Sequence, residues 1–186
     1  MAIDKKTFLR LATVYVDTRE KEWTHIEAAF MKCGVAYERR KLDFGDYSFA
    51  VNERDFSMSC VIERKASVDE LYSNIMHDRQ RIEKEFDVGS RLAKQFLLLV
   101  EGVRSPEALR EHLVPNWQMK AQDKRVKRDI GAFCHTTLQS WQSGAKYDFR
   151  TLYVEDKSNV AGKILEEFYY FWKNYSELIA ARRPAG

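Results

Sequence analysis

The sequence predicts an α/β protein, a central mixed β-sheet flanked by α-helices. Three observations carry this. Strand-length apolar segments alternate along the chain with helix-period stripes, the pattern of strands joined by crossover helices. One segment, Phe96–Glu101 (FLLLVE), is almost wholly apolar, as a strand covered on both faces requires. Residues 45–69, GDYSFAVNERDFSMSCVIERKASVD, alternate Tyr, Phe, Val, Met, Cys and Ile with small or polar residues, the period-two signature of a half-buried hairpin.

The elements follow in order. Thr13–Asp17 (TVYVD) reads as the first strand. A helix follows, with Trp23, Ile26, Phe30 and Cys33 on one face and Gly34 as its stop. Val35–Leu42 is a second strand, and the hairpin comes next. Ser67 and Glu70 make a capping box that opens a single helix striped by Val68, Leu71, Ile75, Ile82 and Phe86. After the strand at 96–101, Glu107–Leu113 suggests a short helix, and Pro115 with the basic residues beyond it an excursion from the core. Val126, Ile130, Phe133, Thr137 and Trp141 mark another helix, Phe149–Glu155 a last strand, and Val160, Ile164, Phe168, Phe171 and Tyr175 the closing helix. The run Phe168-Tyr169-Tyr170-Phe171-Trp172 exceeds what one stripe needs. Core packing accounts for part of it, and a subunit interface would account for the rest.

Composition bounds the possibilities. A chain of 186 residues fits one domain with a real core, and no repeat, low-complexity tract or linker divides it. Residues 1–186 are therefore expected to form a single domain, with 103–129 as a basic insertion. No apolar run reaches membrane-span length and Met1–Leu11 lacks a signal-peptide core, so the cytoplasm is the expected compartment, beside the nucleoid if the source is bacterial. Three cysteines and four histidines show neither CxxC nor HxxxH spacing, which argues against a disulfide framework and a zinc site. The formal charge of +3 permits nucleic-acid binding without demanding it. Its distribution says more: Lys120, Lys124, Arg125, Lys127 and Arg128 crowd into nine residues, either a solvated face or a grip on an anionic polymer.

The hairpin's charged ends hold the chemistry. With its turn centred on Arg54-Asp55, Val51 faces Met58, Phe49 faces Cys60 and Tyr47 faces Ile62, an apolar set on one face. The other face then ends in Asp46 opposite Glu63, and period two adds Lys65 beside Glu63 while Arg64 points away. Arg54-Asp55 is a poor two-residue turn, which leaves room for a longer loop with a bulge. Facing carboxylates repel, and a hard divalent cation relieves that repulsion through their oxygens. A lysine beside them suits orienting or deprotonating a water, or stabilising charge on a phosphate. Solvated Glu-x-Lys pairs are common on strands, so the pattern alone does not decide. Asp17, closing the first strand, is a third acid that either joins this site or caps the following helix. Arg79 sits within an apolar stripe and either snorkels outward or reaches the carboxylates or a phosphate.

These residues together resemble the nuclease domain of the XPF-type family of structure-specific DNA endonucleases, which includes archaeal flap and fork nucleases. That family's signature, Gly-Asp, a hairpin, then Glu-Arg-Lys and an Asp, is met by Gly45-Asp46, Glu63-Arg64-Lys65 and Asp69. Val16-Asp17-Thr18-Arg19-Glu20, Arg79 and Leu99-Val100-Glu101-Gly102 match its other motifs, and order and approximate spacing agree from residue 13 to 102. The resemblance implies a restriction-endonuclease-like fold cutting DNA with Mg²⁺ or Mn²⁺. By it Asp17, Asp46 and Glu63 would hold metal and Lys65 assist hydrolysis. Arg19, Arg64 and Arg79 would support the site or touch phosphates, with Glu20 and Asp69 orienting them. A homodimer through the nuclease domain is also implied. Many relatives carry helix-hairpin-helix elements or a helicase region for which these 186 residues leave no room, so the basic run at 120–128 is the candidate grip on DNA. Two other functions remain open at this level: a non-catalytic DNA-binding or scaffold subunit, and a restriction-like nuclease cutting duplex without regard to branching.

Overall fold

The computed structural model describes residues 4–113, 129–143 and 146–181, and it has the expected mixed sheet between two helical layers. The strands are β1 (Ala12–Val16), β2 (Ala36–Arg39), β3 (Tyr47–Val51), β4 (Arg54–Asp55), β5 (Cys60–Lys65), β6 (Gln95–Glu101) and β7 (Arg150–Val154). They are ordered β2-β1-β3-β5-β6-β7, with β4 on β3 off that path. β3 runs antiparallel to β1 and β5, whereas β1/β2, β5/β6 and β6/β7 are parallel. The helices are α1 (Lys5–Leu11), α2 (Thr24–Cys33), α3 (Val68–His77), α4 (Arg79–Leu92), α5 (Pro106–Arg110), α6 (Ile130–Ser143) and α7 (Val160–Ala181).

Alternation along the strands divides the core in two. Phe8 of α1, Ile26 and Phe30 of α2 and Ile164 and Phe168 of α7 cover one face, against Tyr47, Phe49, Ile62, Leu97 and Leu99. Leu71 and Ile75 of α3, Ile82 and Phe86 of α4, and Leu138 and Trp141 of α6 cover the other, against Val61, Leu98 and Val100. With both faces of β6 buried, its near-continuous apolar sequence is explained.

Four differences from the sequence reading have physical causes. The tight turn falls at Asn52-Glu53 rather than Arg54-Asp55: Val51 pairs with Arg54 and Ala50 with Asp55. Asn52 takes the positive φ of 52° that such a turn needs, a conformation asparagine tolerates. Residues 56–59 then leave the ladder, so Met58 is exposed and Phe56, not Met58, supplies the apolar partner by stacking on Phe49 at 4.8 Å. The expected Tyr47–Ile62 pair is nevertheless formed. The helix expected from Ser67 onward breaks at Asp78, whose φ of −120° ends α3 and begins α4.

The third difference is α1, which periodicity over so few residues does not reveal. It settles much of the aromatic excess: Phe8 packs against Tyr169 and Trp172 at 5.6 and 5.7 Å, while Phe171 meets Phe49 and Phe56. Tyr170 alone of that run is more than half exposed. The fourth is length: the second strand spans only Ala36–Arg39, and Leu42 and Phe44 beyond it turn into the core.

Candidate active site

Gly45 sets the site's geometry. Its φ of +71° suits glycine, and a Cβ there would lie 2.3 Å from Val61 Cγ1 and 3.2 Å from the Ile62 carbonyl oxygen. The chain thus lies tight against β5, and Asp46 N–H donates to the Ile62 carbonyl at 2.8 Å. Asp46 Oδ2 accepts the Arg64 N–H at 2.7 Å, which brings the Asp46 carboxyl beside Glu63 at the open end of the hairpin. Glu63 and Lys65 share the face of Val61, and Lys65 Nζ donates to Glu63 Oε1 at 2.6 Å. Both side chains are about 95% buried, with exposures of 5% and 4%.

These groups floor a cleft of about 640 Å³. Arg19 and Lys21 from the β1–α2 loop, Asn74 of α3, Arg81 and Glu85 of α4, and Lys157 from the turn before α7 line its walls. The capping box stands at one side: Glu70 N–H donates to Ser67 Oγ at 3.1 Å, and Glu70 Oε2 accepts from the Ala66 N–H at 2.8 Å.

Charge on the floor is unbalanced, with two carboxylates around one ammonium. Burial, reinforced by the neighbouring Glu63 charge and only partly offset by Lys65, pushes the Asp46 carboxyl well above the usual carboxylate range. Burial pulls Lys65 down, but Glu63 and Asp46 outweigh it and leave its pKa raised, so Lys65 is an ammonium ion at neutral pH. Burial and the Glu63 charge also raise Glu85, against the opposing pull of Arg81.

The remaining expected residues distribute unevenly. Asp17 is fully buried and does not line the cleft. Its Oδ1 accepts from Arg19 N–H and Nε, both at 2.7 Å, and Oδ2 from Leu42 N–H at 2.7 Å and Arg19 Nη2 at 3.2 Å. Of the expected trio, Asp46 and Glu63 face the cleft, while four donors occupy Asp17, and among the described residues no group of three Asp, Glu, His or Cys is placed to hold a metal. Arg19 is the clamp on Asp17 and also a wall of the cleft.

Arg64, as the period-two count requires, crosses to the opposite face. There its Nε donates to Glu101 at 2.5 Å and its Nη1 to Glu20 at 3.2 Å. Arg79 does not reach the cluster. The break at Asp78 turns it outward, half exposed, onto Glu83 at 2.9 Å and over the Trp141 ring, and Arg81 faces the cleft instead. Asp69 is exposed and off the cleft, because on α3's first turn the next position, Glu70, points there. Lys120, Lys124, Arg125, Lys127 and Arg128 lie outside the described residues.

Sequence reasoning missed Glu85, Arg81, Lys21 and Lys157. The first two follow from the helix break, which no periodicity signals. Lys21 and Lys157 arrive from loops 136 positions apart, and only the sheet order joins them.

The family model for the ERCC4 domain matches residues 16–168. The chain belongs to the ERCC4 domain family. Two solved structures are similar to it in fold. XPF from Aeropyrum pernix is 18% identical, with a TM-score of 0.60 over 91% of this chain and 70% of that one. XPF from Aeropyrum pernix in complex with DNA is 20% identical, with a TM-score of 0.59 over 94% and 75% of the two chains. No curated protein matches the sequence. The ERCC4 domain here thus shares the fold of XPF from Aeropyrum pernix, the restriction-endonuclease-like fold expected from the sequence.

Proposed function

We propose that this ERCC4 domain is a divalent-metal-dependent DNA endonuclease that hydrolyses phosphodiester bonds, with flap, fork or other branched DNA as its substrate. The observation that carries the reading is the cleft floor: Asp46 beside Glu63, with the Lys65 ammonium bonded to Glu63 and cations on the walls above.

The donor set fits Mg²⁺ or Mn²⁺. Asp46 Oδ1 and Glu63 Oε2 accept no hydrogen bond among the described residues, and the raised proton affinity of Asp46 marks a place where positive charge is wanted. Two carboxylates, with waters and a substrate phosphate completing the shell, are what a small hard cation uses. Bound there, such an ion supplies Lewis-acid polarisation of the phosphate and lowers the pKa of a water. The chain's own residues do the rest. Glu63 fixes the Lys65 ammonium, whose charge meets the negative charge gathering on the phosphate. Held by Glu63, Lys65 is placed to stabilise charge on the phosphate or to orient the attacking water. Arg19, Lys21, Arg81 and Lys157 are placed to receive neighbouring phosphates. In this reading Asp17 holds Arg19 and the loop rather than metal. That A. pernix XPF has been seen with DNA supports the choice of polymer. A homodimer is the lesser part of the proposal, with exposed Tyr170 and Leu178 of α7 as its contact candidates.

The test is cleavage of labelled flap, fork, duplex and single-stranded DNA with Mg²⁺, Mn²⁺ or EDTA, using wild type, Asp46→Ala and Glu63→Ala. Cutting of branched substrates that needs metal and both carboxylates is expected. Equal cutting of plain duplex would favour the restriction-like reading. Binding without cutting in the wild type would favour the scaffold reading. Full activity in either mutant would refute the site.

A further inference from the structure

On the face of the sheet opposite Glu63 and Lys65 lies a second polar cluster, buried at its Arg64–Glu101 centre, whose Arg64 and Glu20 also border the cleft. Arg64 and Glu101 have side-chain exposures of 2% and 0% and meet at 2.5 Å. Glu20 reaches Arg64 Nη1 at 3.2 Å, and His25 Nε2, in α2's first turn, lies 3.3 Å from the same Glu101 oxygen. Tyr47, which pairs with Ile62 two residues before Arg64, is fully buried on this face as well. Arg64 Nη2, Glu101 Oε2 and the Tyr47 hydroxyl are all buried without a partner among the described residues.

Such a cluster is a poor stabiliser. Removing two ions from water costs as much as their attraction returns, and apolar residues of similar size do as well or better. Its geometry, however, is directional. Glu101 ends β6, Glu20 lies in the β1–α2 loop, and both converge on one guanidinium. The backbone N–H of that same Arg64 holds Asp46 Oδ2, and its sequence neighbours are Glu63 and Lys65. Whatever fixes the Arg64 side chain fixes the pleat that aims all three cleft groups.

We infer that Glu101 is a positioning residue: it pins Arg64 from behind the sheet and so sets the aim of Asp46, Glu63 and Lys65, with Glu20 as the weaker second arm. The three unpartnered polar atoms leave slack that buried water would take up. The pleat is therefore held chiefly through Glu101 Oε1, and loss of its charge loosens the cleft floor without opening the core. The inference rests on the proposed nuclease reading and adds a requirement from the far face of the sheet.

Glu101→Gln tests it, since the amide keeps size and one acceptor but drops the charge. Outer partners of this kind change activity by roughly 10–100-fold. The expected result is a fall in kcat of about tenfold or more with KM held within about twofold, because the walls that bind phosphates are untouched. The Arg64 backbone amide proton should also shift in metal-free NMR spectra, as its bond to Asp46 relaxes. Glu20→Gln, on a loop and less buried, should give a smaller fall of the same kind and serves as the deciding variant if Glu101→Gln does not fold. A folded Glu101→Gln with wild-type kcat and an unmoved Arg64 amide would overturn the inference, as would an unchanged Glu20→Gln where only that variant folds. Wild type inactive on every DNA would strike the nuclease reading instead, and the Arg64 resonance would still report on the positioning.

Discussion

Two aspartates, Asp17 and Asp46, are joined by one backbone hydrogen bond, Asp17 N–H to the Asp46 carbonyl at 2.8 Å, yet their carboxylates have opposite fates. Asp17 is fully buried among four donors, and Arg19 and backbone N–H groups hold it below its usual range despite burial. Asp46 has one donor, faces Glu63, and is pushed above that range. Burial alone therefore does not make a site. What distinguishes the cleft floor is two neighbouring carboxylates without enough donors, a debt of positive charge that a cation or a substrate's ordered surroundings can settle.

Exchanging the two residues' behaviour by mutation gives the largest effects. If Asp46 holds the proposed cation, Asp46→Asn should remove several kcal/mol of charge stabilisation, about a thousandfold in rate. Metal-free, the same variant should unfold at a higher temperature than wild type, because a repulsion has gone. Asp17→Asn should do the reverse. Losing charge-assisted bonds at a buried carboxylate costs roughly 2–3 kcal/mol, read as a lower midpoint in urea, while the folded fraction cuts with an unchanged metal requirement. A many-fold higher metal requirement in Asp17→Asn at wild-type stability would erase the contrast and restore Asp17 as a ligand.

pH sharpens the comparison with smaller effects. Asp17, with its folded pKa depressed, contributes stability that is present above its unfolded value near 3.9 and is lost as pH falls through the lower folded pKa. Asp46, with its folded pKa raised, behaves oppositely: stability held below the unfolded value is lost as pH climbs from there through the raised folded pKa. Each group changes stability by at most about 1.4 kcal/mol per pH unit inside its own window. In metal-free protein, the wild type minus Asp46→Asn difference should slope downward with pH above about 4, and the wild type minus Asp17→Asn difference upward with pH below about 4. Urea midpoints across pH 2–8 would show it. Parallel curves would mean that the two aspartates are not electrostatically distinct.

How much of this was legible in the sequence follows from range. The Tyr47–Ile62 register, the placing of Glu63 with Lys65 and of Arg64 opposite, and the Ser67–Glu70 cap are local or period-two facts, and residue types at fixed spacing encode them. Asp17's fate was not encoded that way. Whether a carboxylate at a strand end faces a cleft or is consumed depends on the Leu42 N–H, 25 residues on, and on Arg19 folding back rather than out. Arg79 and Arg81 changed places because a helix break at Asp78 rotates what an uninterrupted stripe would have fixed. Glu101 was visible as part of a motif, but its work depends on strand order, which pairs β5 with β6.

Salt dependence extends the comparison to the cations above the floor, with the smallest effects. Arg19's charge is matched by Asp17 and Arg81's by Glu85, whereas Lys21 and Lys157 are exposed and form no ion pair among the described residues. If uncompensated charge is what marks function here, these two lysines release counterions and Arg19 contributes little. Each phosphate neutralised contributes about 0.7–0.9 to the slope of log affinity against log salt, so Lys21→Ala with Lys157→Ala should flatten that slope by roughly 1.5. Replacing Lys124, Arg125, Lys127 and Arg128 together should flatten it by about 3 if that run grips DNA. Fluorescence anisotropy with labelled flap DNA and the Asp46→Asn protein measures both without cleavage. A large change from the basic run and none from the lysine pair would put the grip outside the cleft. The rule drawn from Asp17 and Asp46 would then hold for the floor but not for the walls.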